Sequence, residues 1–363
     1  MSDKNPCVVL EKIDDIQFKD ESIPTIDQPD ECIVEIKYVG ICHSDIAYYK
    51  QGKIGDFKLV KPMVLGHEPS GVISKVGKNV KSLKVGDRVA IEPGIVKSRA
   101  DKFYKEGRYN LSPMDFAATP DPNGNNPQGA LCKYYKSPAD LLYKLPDDVS
   151  LELGALCEPL SVGVHAIGRS NLKPLEPVAV IGCGPVGLLL ASAVRVLYGN
   201  PTILLDIVDD KLRLARDIGA ASHTYNSKDG NVEDLIKAFD GNRPVVAFEC
   251  TGAPPCIDLA VKCVEDGGRV VQVGNASSDT VPFPILNLIN RELTLYGSFR
   301  YAYGDYPTSI QLLERNYKNG KDKAIVDFER LITNVFPFDD AIKAYEFAAK
   351  GKDFVKIMIK GPE

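Results

Sequence analysis

The sequence predicts a two-domain α/β protein, in which a doubly wound parallel sheet is joined to a second, mostly β, barrel-like unit. Three observations support this. The first third of the chain alternates apolar and polar residues, from about residue 160 short apolar runs alternate with helical stretches, and a glycine-rich turn joins the first such run to the first such helix. At 363 residues the chain exceeds one ordinary core and suits two domains of roughly 150–200 residues each.

Taken in order, ECIVEIKYVG alternates as a half-buried strand, and SGVISKVGKNV followed by VGDRVAIEP gives two more strands linked through Gly- and Asn-containing turns. DPNGNNPQGA at 121–130 has the composition of a surface loop. VAVIG, TILLDI, VVAFEC, RVVQVG and LTLYGSF are continuous apolar runs, with helical stretches such as GLLLASAVRVLYG and DDKLRLARDIGA between them. Strands buried on both faces and alternating with helices make a parallel sheet. TSIQLLERNYKNG and DDAIKAYEFAAKG then predict two helices and FVKIMIK a last strand, all expected to return to the first domain. The expected division is 1–159 with 298–363, and 160–297.

Composition limits the function. A hydrophobic fraction of 44%, a charged fraction of 26% and a net charge of -5 describe an ordinary globular chain with no attraction for polyanions, so no nucleic-acid partner is expected. No apolar run is long enough for a membrane span, and MSDKNPCVVLEK has no cleavable apolar core; the expected location is the cytoplasm. Nine cysteines, with no CxxC pair among them, read as reduced thiols or metal ligands rather than a disulfide framework.

VAVIGCGPVGLLL places Gly182, Gly184 and Gly187 in GxGxxG spacing directly between strand and helix, with Pro185 suited to the first helical turn. The first glycine permits a tight turn, the second lets a pyrophosphate approach the backbone, and the third lets the helix pack on the strand. TILLDI carries Asp206, nineteen residues beyond Gly187, where the ribose-binding acid belongs. A carboxylate there accepts bonds from both ribose hydroxyls and repels a 2'-phosphate, which points to NAD, with Lys211 as a nearby cation that softens the preference.

Cys42 lies in GICHSD and His67 in VLGHEPSG, each just beyond a predicted strand. The spacing Gly66-His67-Glu68, then Gly71, then Gly77 resembles the zinc signature of the medium-chain alcohol and polyol dehydrogenases. The likeness runs through PMVLGHE, VGDRVAIEPG, GRYNL, YKLPDDVS, CEPLSVGVHA and GSFRY, essentially the whole chain. It is strongest to sorbitol and xylitol dehydrogenases of the fungal type, in which Glu-Pro-Leu-Ser-Val stands where simple alcohol dehydrogenases place a third cysteine; here that position is Glu158, beside the competing Cys157. The resemblance implies a Rossmann domain for NAD and a GroES-like catalytic domain. It implies Cys42 and His67 as zinc ligands, Glu68 and Glu158 bound directly or through water, and Ser44 as the first station of a proton relay.

The resemblance further implies Val186, Val273, Gly274, Asn275, Ser298, Phe299 and Arg300 in the cofactor site, and Tyr48, Phe116, Thr119, Glu158, Arg300 and Tyr301 around the substrate. A thiolate, an imidazole and one carboxylate leave a fourth position open, the pattern of catalytic zinc. Such a zinc lowers the pKa of an alcohol so that an alkoxide forms near neutral pH and expels hydride. The implied reaction is oxidation of a sugar alcohol, xylitol, sorbitol or a similar alditol, to its 2-ketose by a homo-oligomer, tetramer or dimer. His43 matches simple alcohol dehydrogenases instead, which keeps a simple alcohol or amino-alcohol dehydrogenase as the alternative; a catalytically silent NAD-binding protein is a third.

EPGIVKSRADKFYKEGRYNLSP, residues 92–113, contains no cysteine. Relatives with a second, structural zinc carry four thiolates there in the spacing C-x2-C-x2-C-x7-C. Counting back from Ser112 puts Tyr104, Asp101 and Ser98 at those places, a set that holds zinc poorly against water. One catalytic zinc per chain and no structural zinc are therefore expected. Packing by Phe103, Tyr104, Tyr109 and Leu111 and pairing by Arg99, Asp101 and Arg108 are expected to hold the lobe instead.

Overall fold

The computed structural model describes residues 4–120, 127–228, 230–276, 278, 280–351 and 354–363. The chain packs into two units, Met1–Glu158 with Ile332–Glu363, and Pro159–Leu331. The first junction falls one residue from the expected boundary, whereas residues 298–331 pack with the second unit rather than returning to the first. Hydrogen bonds account for this: Asp327 N–H donates to Ile218 O, and Asn316 binds Val326 at both its N–H and its carbonyl, all within the second unit.

The first unit is built on a seven-stranded sheet in the order Leu142–Lys144, Arg88–Ile91, Glu68–Val76, Glu31–Gly40, Lys356–Lys360, Ile332–Phe336, with Tyr134–Pro138 also paired to Glu31–Gly40. All pairs are antiparallel except the last, which is parallel. A smaller sheet of Asp15–Ser22, Lys4–Lys12 and Met63–Val64 joins it. Glu31–Gly40 is central because its alternation buries Cys32, Val34 and Ile36 in one core with Ile73, Val89 and Ile357. The register sets Gly40 beside Glu68 on one flank and Met358 on the other, so three distant stretches meet where Glu31–Gly40 ends. Helix α1, His43–Gln51, follows at once. Cys42 caps it, Asp45 at the third helical position bonds back to the cap, and Gly52 stops it at φ 68°.

The second unit is a six-stranded parallel sheet: β1 Val178–Ile181, β2 Thr202–Asp206, β3 His223–Asn226, β4 Val246–Glu249, β5 Arg269–Gln272 and β6 Thr294–Gly297. Its order is β3-β2-β1-β4-β5-β6. The chain reverses direction across the sheet between β1 and β4, the switch point at which doubly wound sheets bind ligands. Helices α2 (Cys157–Ser170), α3 (Pro185–Tyr198) and α4 (Asp305–Tyr317) belong to the same stretch of chain, and α3 is buried on nearly every side from Gly187 to Val196. Residues 121–126 of the expected surface loop lie outside the described residues, and at its end Gly129 and Ala130 are buried rather than exposed.

Candidate functional site

Cys42, His67 and Glu68 come together in the first unit, their ligand atoms all within 4.8 Å of one another, the one such group among the described residues. Tetrahedral zinc with sulfur and nitrogen ligands spaces its donors by about 3.5 Å, so small side-chain adjustments suffice. Each of the three side chains is set by a different feature of the backbone. Cys42 is placed by the start of α1, His67 follows Gly66 at φ 87°, and Glu68 opens its strand opposite Gly40. Gly40 is required there: a Cβ at this position would lie 2.0 Å from Glu68 Oε2.

Two residues that sequence reasoning did not single out lie against these three side chains. Asp45 is fully buried; its Oδ2 accepts a hydrogen bond of 3.0 Å from Cys42 N–H, and its Oδ1 lies 3.4 Å from His67 Nδ1, a contact too poorly aligned to count as a hydrogen bond. One carboxylate thus holds the Cys42 backbone and faces the His67 ring, the placement found in carboxylate–histidine–metal arrangements. Lys356, 2% exposed, donates to both oxygens of Glu68 at 2.8 Å and to Ile41 O at 3.1 Å. The HSD segment hinted at Asp45. Lys356 had no local signal, because strand pairing brings it in from nearly three hundred residues away.

The electrostatics favour a cation. Burial alone would lower the pKa of His67, yet the Asp45 carboxylate and the Cys42 sulfur outweigh it and raise the pKa well above its ordinary value. Burial is likewise overcome at Lys356, held charged by Glu68 and then Cys42, with Glu158 adding to the effect. Two buried carboxylates, a sulfur and an imidazole thus meet beside Lys356, and zinc fits these donor types. Glu158, 6% exposed at the start of α2, lies outside the 4.8 Å group. Cys157 beside it is fully buried, and burial pushes its thiol far above the usual range, so it stays protonated. Phe116 stands with its ring centroid 5.7 Å from that of His67. Ser44 and Thr119 are half-buried, Tyr48 is buried in the hydrophobic core of the unit, and His43 is exposed.

In the second unit the predicted cofactor residues gather at the carboxyl ends of the parallel strands. Gly182 follows β1 with φ 104°, and Gly184 caps α3 with open space where a side chain would be. Pro185 takes the first helical position, and Val186 beside it is half-buried. At Gly187 a Cβ would lie 1.9 Å from Gly182 O, so helix and strand meet there as the spacing required. Asp206 ends β2; Oδ2 accepts from Cys183 N–H at 2.7 Å, and Oδ1 from Ile207 and Val208 N–H at 2.8 and 3.0 Å. Lys211 is half-buried one turn into the next helix.

Val273, Gly274 and Asn275 follow β5, and Val273 and Gly274 N–H both donate to Glu249 O. Beneath that loop the fully buried Glu249, which carried no sequence signal, accepts from Thr251 N–H, Gly252 N–H and the Gln272 amide. Ser298, Phe299 and Arg300 follow β6. Arg300 has φ 52°, a left-handed conformation costing a side-chain-bearing residue about 1–2 kcal/mol, and its guanidinium lies 4.9 Å from the Phe299 ring centre. Tyr301 is buried, edge-on to Tyr306 at 5.3 Å.

The 92–113 lobe is tied by side chains. Asp101 Oδ1 accepts from Phe103 and Tyr104 N–H at 2.9 and 3.3 Å and from Ser112 Oγ at 2.6 Å. Tyr109 and Tyr143 hydroxyls donate to the two oxygens of the buried Glu92 at 2.5 and 2.8 Å. Arg99 pairs with Asp140 and Arg108 with Glu106, while Lys102 and Arg108 flank the Phe103 ring. Leu111, expected to pack, is 41% exposed, because the short 3-10 turn that buries Asn110 turns its neighbour outward.

Comparison with known proteins agrees with this geometry. The family model described as zinc-binding dehydrogenase matches residues 185–315, and that of the alcohol dehydrogenase GroES-like domain matches residues 28–147. The chain is 55% identical over 362 residues to a D-xylulose reductase of Scheffersomyces stipitis and 46% identical over 368 residues to sorbitol dehydrogenase 1 of Saccharomyces cerevisiae, with 99% of each chain covered. Among solved structures, L-idonate 5-dehydrogenase of Escherichia coli superposes with a TM-score of 0.87 at 26% identity, covering 98% of both chains. Likeness at this level across nearly the whole length means that the chain belongs to the zinc-dependent medium-chain dehydrogenase/reductase family, of the polyol dehydrogenase type.

Proposed function

We propose that the protein oxidises a secondary hydroxyl of a sugar alcohol, xylitol, sorbitol or a similar alditol, to the 2-ketose with NAD. The observation that carries this is the buried group Cys42, His67 and Glu68 with Asp45 and Lys356 behind it. Cys42, His67 and Glu68 would hold the zinc, with Glu158 reaching it directly or through water. Bound there, zinc supplies a Lewis acid that lowers the pKa of the substrate hydroxyl. NAD, held by the glycine turn, Asp206, Val273–Asn275 and Ser298–Arg300, supplies the hydride acceptor. Ser44, in the first turn of α1, accepts the hydroxyl proton and passes it on toward solvent. In the first unit Phe116, Tyr48 and Thr119 are proposed to face the substrate, and in the second unit Arg300 and Tyr301 are proposed donors to sugar hydroxyls, each of which needs a partner once buried.

The test is a steady-state panel of xylitol, sorbitol, arabinitol, threonine and ethanol with NAD and NADP, before and after chelation. Alditols with NAD are expected to lead and chelation to abolish turnover; ethanol leading would reverse the reading in favour of a simple alcohol dehydrogenase. Asp206→Ala should narrow the NAD preference, because the carboxylate that rejects a 2'-phosphate is gone. Unchanged selectivity would remove Asp206 from that role.

The zinc is single in this reading. The places of the structural thiolates are held by Ser98, Asp101, Tyr104 and Ser112, of which Asp101 and Ser112 bond to each other. The enzyme is a cytoplasmic homo-oligomer, tetramer or dimer; nine cysteines with no disulfide among them suit a reducing compartment. No described helix is long and apolar enough to cross a membrane. A second copy is expected at the open edge of β6, where Leu295 and the nearby Ile285, Leu286 and Ile289 are exposed. Leu295→Lys should lower the mass measured by light scattering; an unchanged mass would place the contact elsewhere.

A further inference from the structure

Arg300 adopts a left-handed backbone that its own side chain does not favour, so its neighbours must impose that conformation. The turn that carries it runs from the end of β6 to the start of α4. Ser298 N–H anchors one end on Gln272 O at 3.0 Å. At the other end Asp305, the first residue of α4, closes the turn: its Oδ2 accepts from Ala302 N–H at 2.7 Å, while Asp305 N–H donates to Ala302 O at 3.2 Å. The same Oδ2 lies 2.8 Å from Nδ1 of His165 on α2, and neither side chain is more than 17% exposed. Ser161, one turn earlier on α2, reinforces the link through Ser309 Oγ at 2.9 Å, and Ser309 in turn donates to Asp305 O. An aspartate whose single oxygen serves two donors is held in place by both, so losing the imidazole frees the carboxylate that shapes the turn.

We infer that His165 is a positioning residue for the dinucleotide: through Asp305 it fixes the 298–304 turn and with it the direction of Arg300. The inference rests on the reading above that Arg300 contacts the cofactor. To serve Asp305, His165 carries its proton on Nδ1, a tautomer the carboxylate selects. Asn presents an amide N–H near the place of Nδ1–H, and Leu presents none.

The experiment measures NADH affinity by fluorescence on the full-length, zinc-loaded protein for His165→Leu, His165→Asn, Arg300→Ala and the double variant His165→Leu/Arg300→Ala, with melting temperature and zinc content recorded for each. His165→Leu should weaken NADH binding about tenfold with its zinc retained, a loss of about 1.4 kcal/mol. His165→Asn should recover most of it, and the double variant should be no weaker than Arg300→Ala alone. Equal loss in the Leu and Asn variants, or full additivity in the double variant, would overturn the inference. If Arg300→Ala weakens binding while His165→Leu does not, His165 alone is misassigned. If Arg300→Ala binds NADH normally, the cofactor role of Arg300 fails and the inference falls with it.

Discussion

The candidate metal site and the 92–113 lobe lie in the same unit, and each is organised by an aspartate near the start of a helical segment that accepts backbone N–H bonds. Asp45 accepts from Cys42 N–H and faces His67; Asp101 accepts from Phe103 and Tyr104 N–H and from Ser112 Oγ. What differs is the company each keeps. Around Asp45 stand a cysteine sulfur, an imidazole and a second buried carboxylate, donor types that could hold a metal ion. Around Asp101 stand a hydroxyl and amides, all already bonded to it. In the proposed reading, a capping carboxylate supports a metal when sulfur and imidazole donors surround it, and cross-links the lobe itself when they do not.

Substitutions can break this contrast, beginning with the largest effect. Cys42→Ser or His67→Ala should remove tightly held zinc and lower kcat/KM by on the order of a thousandfold or more, while circular dichroism shows the fold intact. Near-normal turnover in either would mean that the chemistry does not pass through this group. Lys356→Met leaves Glu68 buried without its partner. In metal-stripped protein this should cost about 3–5 kcal/mol, read as a fall in unfolding midpoint, and added zinc should recover part of it. Equal losses with and without zinc would show that Glu68 does not face the metal.

Smaller effects sharpen the same comparison. Asp45→Asn keeps the shape but loses the charge behind His67, and should weaken zinc binding by about 10- to 100-fold in a chelator competition. Ser112→Ala should cost about 1 kcal/mol, a few degrees of melting temperature, with zinc content and turnover unchanged. Zinc loss in Ser112→Ala would make the lobe part of a metal site after all.

Features that depend on one residue's own requirements were legible in the sequence. Gly182 needs a positive φ and Gly187 a place without a Cβ, and both stand where GxGxxG put them. The apolar runs became β1, β2, β4 and β5 because strands buried on both faces must be apolar throughout, whereas LTLYGSF became β6, an edge strand that is mostly exposed. β3, His223–Asn226, escaped notice because an edge strand that is only half-buried needs no such run. The periodicity of TSIQLLERNY predicted a helix correctly, but an apolar face does not say which core it covers, so α4 was expected in the wrong unit. Lys356 was invisible because only the pairing of Lys356–Lys360 with Glu31–Gly40 brings it to Glu68.

The contrast between the two aspartates reduces to a count of zinc ions, which elemental analysis of the purified wild-type, Cys42→Ser and Ser112→Ala proteins after dialysis against a weak chelator would supply. The account predicts one zinc per chain in the wild type, almost none in Cys42→Ser and one in Ser112→Ala. Two tightly held ions in the wild type, or full retention in Cys42→Ser, would contradict it.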